Sequence, residues 1–197
     1  IISVFANDKD ALIRGRCAKL LANASTSKAK HMLLTLASDK NTLVRTEAYD
    51  SLSEFPSKNV QKFLKQAIIH ESNALARSYA ILSWADITQA LGVRKKHKKF
   101  LKQLKKLPNM RKSEPCMLSF YYAKYLFGHK KAINKILLFL KSSDYQIRCS
   151  ALNLLQDIVS PENRQYIESS LEQLLQQEVC DSVSENATEL LQYIKTI

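Results

Sequence analysis

The chain has 197 residues, of which 30 are Lys or Arg and 18 are Asp or Glu, so its formal net charge at pH 7 is +12. This length can bury a sizeable core, and no apolar run is long enough to span a bilayer, so we predict a soluble protein of the cytoplasm. The four cysteines form no close pairs and have no histidines at metal-ligand spacing. The composition therefore predicts no disulfide framework, no metal site and no cofactor.

The positive charge is distributed unevenly along the chain. Residues 1–156 contain 28 Lys and Arg against 10 Asp and Glu, whereas residues 157–197 contain 2 against 8. The formal charge is thus +18 in the first segment and −6 in the second. A basic body of this kind attracts acidic partners.

One short pattern recurs along the chain at a nearly fixed interval. Around an arginine, an acid lies six residues before, Asp or Asn four before, a small residue three after and a large apolar residue seven after. The clearest copy runs from Asp39 to Leu52. The arginines lie 31, 32 and 71 residues apart, at Arg14, Arg45, Arg77 and Arg148. Because the last step is about two periods, we expect a degenerate copy near residues 118–127.

The spacing of apolar residues predicts paired helices between the repeat positions. In chain order the predicted helices span residues 10–22, 27–37, 41–55, 57–70, 73–91, 93–107, 118–127, 129–141, 144–159, a segment beginning at Ser160-Pro161-Glu162, and 181–197. The first helix of a pair begins at a residue that can accept hydrogen bonds from free backbone N–H groups. These predicted caps are Asp10, Asn41, Asn73 and Asp144.

The core pattern, acid–x–acid–x–x–aliphatic–Arg–x–x–small, resembles the HEAT repeat family in its short bacterial, PBS-lyase-type form. The resemblance covers most of the chain and implies an all-α fold, a right-handed α-α superhelix (a HEAT-repeat solenoid) of about five to six helix pairs. We expect one solenoid domain over residues 1–197. The sequence leaves open whether an N-terminal piece, such as the partner helix of the first copy, precedes Ile1. Solenoids of this family are mostly binding surfaces.

Each repeat arginine could pair with the acid of its own copy or of the next copy, which would form a ladder along the array. In the copy around Arg148 the first acid is replaced by Ser142, and in the last copy Ser184 replaces the arginine. We predict this structural role for Asp8, Arg14, Asp39, Arg45, Glu71, Arg77, Asp144 and Arg148.

The segment from Arg94 to Lys112 is the most unusual in the chain. Ten of its 19 residues are Lys or Arg and none is acidic. At helical spacing the apolar residues form one face and the lysines form the other, where like charges three and four positions apart repel. A charge run is commonly a solvated face that keeps a protein soluble. The alternative is a contact site for carboxylates or phosphates.

Lysines also lie opposite the apolar residues of other second helices. The second helices of HEAT-like arrays line the concave side, so the resemblance implies one basic groove that binds a partner. The predicted partner-binding residues are Lys58, Lys62, Lys65, Lys95, Lys98, Lys99, Lys102, Lys105, Lys106, Lys131 and Lys135. We predict an acidic protein segment as the partner. The nucleic acid backbone is the alternative, because charge alone fits both; nothing indicates a membrane or a small-molecule substrate.

No motif in the sequence predicts catalysis. A glycine-rich phosphate loop, a Gly-x-Ser-x-Gly elbow and a His-Glu-x-x-His pattern are all absent, so we predict a protein without catalytic residues. One enzyme interpretation stays open. Alkylpurine DNA glycosylases built from HEAT-like repeats use aromatic residues and an aspartate to hold and excise a base. Here Trp84 and Asp86 are the available residues, and Trp84 also fits the large core position of its repeat.

Five aromatic residues crowd the degenerate fourth copy: Phe120, Tyr121, Tyr122, Tyr125 and Phe127. Aromatic rings beside lysines can stack on nucleobases. At this density on one helix we expect core packing instead. Tyr122 and Tyr125 are the two rings that we expect to be exposed.

Overall fold

A computed structural model describes residues 2–196, and every regular element within them is helical, as predicted. The helices α1–α12 span Ile2–Phe5, Ala11–Leu21, Ser27–Leu36, Thr42–Ser51, Lys58–His70, Ala74–Ala90, Arg94–Leu104, Glu114–Leu126, Ile133–Leu137, Tyr145–Ile158, Arg164–Leu175 and Asp181–Ile194. The chain divides into two compact units, unit 1 (Ile1–His129) and unit 2 (Lys130–Ile197). The single domain expected from the repeat stays a prediction.

The first helix of each pair begins where the repeat pattern predicts. A side-chain oxygen at each start accepts the backbone N–H of a residue two or three positions later, at Asp10, Asn41, Asn73 and Asp144. Ser113 caps α8 in the same way, so the degenerate copy begins there. These side chains satisfy N–H groups that the first helical turn leaves free.

The predicted start at Ser160 is wrong by four residues, since α11 begins at Arg164. The hydroxyl of Ser160 donates a hydrogen bond to Glu162 at 2.6 Å instead of accepting one from the helix. A turn therefore precedes α11, and Asn163, which holds the position before the helix, makes no side-chain cap.

Unit 1 consists of two layers of helices. In the first layer α2, α4, α6 and α8 each pack against the next, and the small repeat residues Cys17, Ala48 and Ala80 are buried there. The second helices α3, α5 and α7 pack on this layer and have little contact with one another. The first helices of unit 1 are therefore packed more closely on one another than its second helices are.

Three repeat arginines pair with the acid of the following copy. In each pair the Nε and Nη2 atoms of the guanidinium donate to the two oxygens of one carboxylate, a geometry that makes a strong, directional contact. The distances from Nε to the carboxylate are 2.7 Å in Arg14–Asp39, 2.8 Å in Arg45–Glu71 and 2.7 Å in Arg148–Glu178. We call each such pair, with its backbone contacts, a rung.

A rung also makes hydrogen bonds to backbone carbonyl and N–H groups around it. Nη1 of Arg45 donates to the carbonyl oxygens of Asp39 and Lys40, at 2.9 and 3.1 Å, in the loop before its own helix. The carboxylate of Glu71 accepts the backbone N–H of Asn73 at 3.0 Å. One rung therefore connects the loop of one repeat to the helix start of the next.

The predicted ladder fails at Arg77. The position that holds the acid in other copies, two residues before the helix cap, is Arg111 in the degenerate copy. The guanidinium of Arg77 donates instead to the carbonyl oxygens of Pro108, at 2.7 Å, and of Glu71. Within the described range its buried Nε has no hydrogen-bond partner.

Two further residues predicted for the ladder make other contacts. Asp144 caps α10 by accepting the N–H of Gln146 and belongs to none of the ion pairs within residues 2–196. Asp8 accepts the N–H of Asp10 at 2.8 Å, and none of the ion pairs within residues 2–196 includes it.

The rungs change the pKa values of their acids. The hydrogen bond from Arg14 is the main cause that lowers the pKa of Asp39, and the one from Arg148 does the same for Glu178. Burial raises the pKa of Glu71 and is the largest single influence on it. Hydrogen bonds from Arg45 and from the N–H of Asn73 more than offset this effect, so the pKa of Glu71 is still lowered.

Replacing Arg45 by Met should destabilise the protein. The side chain of Glu71 is only 3% exposed and would lose the cation that compensates its charge. We expect the free energy of unfolding, measured by urea denaturation, to fall by about 2–3 kcal/mol. Arg16→Met is the control, because Arg16 is exposed and belongs to no rung. An equal effect of both substitutions would contradict the role of the rung.

Stability should also depend on pH through Asp39 and Glu178. Their pKa values are lower in the folded protein than in the unfolded chain, where carboxyl groups titrate near pH 4. Each group therefore contributes stability above pH about 4 that is lost as the pH falls through its folded pKa. We expect the urea midpoint to fall steeply from about pH 4.5 to pH 3. Asp39→Asn should make this decline shallower; an unchanged pH profile would argue against the pair.

Candidate partner-binding surface

The basic segment forms α7, which packs on unit 1 by its apolar face. Phe100, Leu101 and Leu104 are buried, and His97 is half-buried beside them. Gly92 has a φ of 66°, which ends α6 in a left-handed conformation as its position predicts. The chain then turns into α7 and exposes the opposite face of this helix.

Of the six lysines predicted for this helix, Lys95, Lys98, Lys99 and Lys102 lie on α7, whereas Lys105 and Lys106 follow its last residue, Leu104. Lys105 is half-buried, and its Nζ lies 4.9 Å from the ring centre of Phe120 and 5.4 Å from that of Tyr121. Such contacts between a cation and aromatic faces are attractive. The other five are exposed to solvent: Lys95, Lys98, Lys99, Lys102 and Lys106.

The neighbouring helix α5 adds three lysines to the same layer. Lys58 and Lys62 are exposed, and Lys65 is half-buried with its Nζ 4.6 Å from the ring centre of Phe100. This contact places Lys65 of α5 against the apolar face of α7. We call these nine lysines, the three of α5 and the six predicted between residues 95 and 106, the lysine face.

The lysine face lies on the second helices of unit 1, which pack on the first layer. The concave groove that these lysines were predicted to line stays a prediction. Lys131 and Lys135, which were predicted for the same groove, are exposed but belong to unit 2, in a 3-10 turn and in α9.

Unit 1 carries the entire excess of positive charge. Residues 1–129 contain 23 Lys and Arg against 9 Asp and Glu, a formal charge of +14, whereas residues 130–197 contain 7 against 9, a charge of −2. None of the nine lysines of the lysine face takes part in the ion pairs of residues 2–196. The lysine face is thus a positively charged surface without internal carboxylate partners.

Three further basic residues extend this surface and were not predicted as binding residues. Lys96, Arg111 and Lys112 are exposed within the same segment. Helical spacing placed Lys96 off the lysine stripe, and Arg111 and Lys112 lie beyond the helix that was predicted to end at residue 107. The overall composition of residues 94–112, in which ten of 19 residues are basic, was the signal that could have included them.

Trp84 and Asp86 are not arranged to hold a base. Trp84 is completely buried, and its ring contacts His97, Phe100 and Phe127 with ring centres 5.9, 5.0 and 5.3 Å away. Asp86 is half-buried and accepts a hydrogen bond from the hydroxyl of Tyr122 at 2.9 Å. Trp84 therefore has the core role that its repeat position predicts.

The aromatic residues of the fourth copy are core residues, as expected from their density. The exposure predicted for Tyr122 and Tyr125 is wrong, because both are buried where α8 packs on the first-layer helix α6. Tyr121 is the half-buried ring of this group, and it contacts Lys105.

Two clefts occupy equivalent places in the two units. In unit 1 a cleft of about 420 Å³ lies over the Arg45–Glu71 rung, and in unit 2 one of about 590 Å³ lies over the Arg148–Glu178 rung. A cleft that recurs at the same rung follows from the separation of successive second helices and does not indicate a dedicated ligand pocket.

Residues 2–196 contain no group of three or more His, Cys, Asp and Glu that could hold a metal ion. In the same range, no helix combines the length and apolar character required to cross a membrane.

Removing lysines from α7 should stabilise the protein. The variant Lys95→Gln, Lys98→Gln, Lys99→Gln, Lys102→Gln removes the four repulsive pairs that these lysines form with one another at three- and four-residue spacing, together with their pairs to neighbouring basic residues. We expect the thermal unfolding midpoint to rise by roughly 2–4 °C at low salt, and less at high salt where charges are screened. A lower midpoint would mean that these lysines contribute to folding instead of being free to bind.

Comparison with known proteins places the chain among helical repeat proteins. Residues 1–85 match the family model for HEAT repeats. YibA of Escherichia coli has a similar solved structure, with a TM-score of 0.55 and 18% identity over 98% of this chain and 70% of that chain. A search of curated protein sequences finds no significant match.

A second similar structure is the complex of CpcE and CpcF of phycocyanin lyase from Nostoc sp. PCC7120. The TM-score is 0.53, and the identity is 13% over 98% of this chain and 93% of that chain. These likenesses confirm the predicted fold class, a helical solenoid of the HEAT type. At such identities they concern the fold alone.

Proposed function

We propose that this chain, whose residues 1–85 belong to the HEAT repeat family, is a non-catalytic recognition scaffold that binds an acidic segment of a partner protein through the lysine face. The observation that carries the proposal is the row of exposed lysines on α7, which repel one another and lack carboxylate partners within the described residues. A protein partner that supplies carboxylates would relieve this repulsion.

The dimensions of the lysine face suit an extended or helical acidic segment. Residues 95 to 106 extend over about 16 Å at the helical rise of 1.5 Å per residue. Lys65 of α5 lies next to α7, with its Nζ 4.6 Å from the ring centre of Phe100, and Lys62 and Lys58 precede it by one and two helical turns. We expect a partner segment with carboxylates on one side to contact both helices.

The family and the neighbours support a binding role without specifying the partner. Helix-pair arrays present extended surfaces to partners. The CpcE and CpcF structure is itself a complex of two chains, but its lyase activity is not transferred to this chain at 13% identity.

Nucleic acid remains the second candidate, favoured by the charge of +14 on unit 1 and by the half-buried Tyr121 beside Lys105. Phosphates would bind the same lysines, and an aromatic edge next to them can contact a base. Most rings of this cluster are buried, which leaves little aromatic surface for stacking. We therefore rank the acidic protein segment first.

The test is a titration of the protein with labelled probes at physiological salt. The probes are a glutamate-rich peptide of about 20 residues, a single-stranded oligonucleotide and a duplex, each followed by fluorescence anisotropy. We expect the peptide to bind, and the Lys95→Gln, Lys98→Gln, Lys99→Gln, Lys102→Gln variant to bind it at least about tenfold more weakly.

The control removes the same amount of charge elsewhere in unit 1, from the exposed residues Lys9, Lys19, Lys28 and Lys40, each changed to Gln. This control variant should retain the affinity for the peptide within about twofold. Equal losses in both variants would show a general charge effect and would overturn the assignment of the lysine face. Tighter binding of the oligonucleotides, falling steeply with salt, would replace the acidic protein by nucleic acid.

A further inference from the structure

The N-terminal edge of unit 1 exposes residues whose equivalents in the next two repeats are buried or paired. We call Phe5, Asp8, Ile13 and Leu20 the N-terminal edge. Asp8 holds the place of the rung acids Asp39 and Glu71, and this alignment gives the equivalents of the other three residues.

The short helix α1 has the register of the end of a second helix. Phe5 lies three residues before its rung acid, as Leu36 at the end of α3 and Ile68 near the end of α5 do. Leu36 and Ile68 are 3% and 0% exposed, but Phe5 is 46% exposed. The same position is therefore covered in two repeats and open in the first.

Helix α2 presents the same difference. Ile13 is 37% exposed, whereas Val44 and Ala76 at the equivalent position are 0% exposed. Leu20 is 62% exposed, whereas the equivalent residues of α4 and α6, Ser51 and Ser83, are 4% and 1% exposed. What distinguishes α4 and α6 from α2 is that another first helix packs in front of each of them.

Asp8 forms the acceptor half of a rung. It accepts the N–H of Asp10 at 2.8 Å, just as Asp39 accepts the N–H of Asn41 at 2.7 Å. Asp39 also binds the guanidinium of Arg14, but none of the ion pairs in the described range engages Asp8. The carboxylate is thus oriented for an arginine from a helix in front of α2.

We propose that the N-terminal edge docks one arginine-bearing helix of the HEAT type, packed in front of α2 as α2 itself packs in front of α4. The register of α1 favours this occupant, because α1 takes the place of the end of a second helix, beside which a first helix packs. A second copy of this chain stacked end to end does not fit, since its last repeat has Ser184 at the arginine position. The three apolar residues and Asp8 together require an apolar helix face with one arginine.

The experiment completes the repeat with the chain's own sequence. A copy of residues 8–31 joined directly to Ile1 places an arginine 31 residues ahead of Arg14, the spacing that separates Arg14 from Arg45. We expect the thermal unfolding midpoint to rise by at least about 4 °C and the amides of α2 to exchange more slowly with solvent.

A double-mutant cycle isolates the new rung. Asp8→Asn keeps an acceptor for the N–H of Asp10, so it should leave the unextended chain unchanged. In the extended chain, Asp8→Asn should remove part of the increase in the unfolding midpoint. Changing the added arginine that corresponds to Arg14 to Met should remove the same part. The double variant should lose no more than either single variant. An unchanged midpoint after extension, or equal effects of Asp8→Asn in both chains, would overturn the proposal. Sedimentation of the unextended chain provides a further test. If it forms concentration-dependent dimers that Leu20→Lys abolishes, the occupant of the edge is a second copy of this chain, and the proposal is overturned.

Discussion

The contact on which the array depends is the rung between a repeat arginine and the acid of the following copy. One guanidinium neutralises a carboxylate and satisfies two loop carbonyls, while the same carboxylate holds the N–H before the next helix. Charged groups can be buried at low cost only when their partners are this complete. Because every rung joins two repeats, it fixes the register of one first helix on the next, and the close first layer of unit 1 follows from that register.

The position of the lysines is a consequence of this layer. The rungs hold the first helices close together, whereas the second helices have little contact with one another. The sides of α5 and α7 that face away from the first helices are therefore exposed to solvent. Phe100 contacts both the core and a lysine, since its ring packs against Trp84 and lies below the Nζ of Lys65. The core and the charged surface of unit 1 therefore meet at Phe100.

Two positions, Arg77 and Asp8, depart from the regular pairing of repeat arginines and acids, and they differ in kind from the lysine face. At Arg77 the next copy offers Arg111 instead of an acid, and the guanidinium binds backbone carbonyls. At Asp8 the acid is present and oriented, but its cation is not among the described residues. Both follow from the chemistry of one repeat position. The lysine face follows no such rule, because its charges are matched by no residue of the repeat pattern, and this absence of an internal role is why we assign it to a partner.

The sequence by itself determined the helical repeat, the helix caps and the core role of Trp84, because each depends on local spacing or on the polarity of one residue. It also limited the partner of each repeat arginine to the acid of its own copy or the acid of the next copy. Only the tertiary structure decided that the acid of the next copy is bound, that Tyr122 and Tyr125 are buried and that the first helices of unit 1 pack more closely than its second helices. These properties depend on contacts between residues 25 or more positions apart, which helical periodicity does not encode.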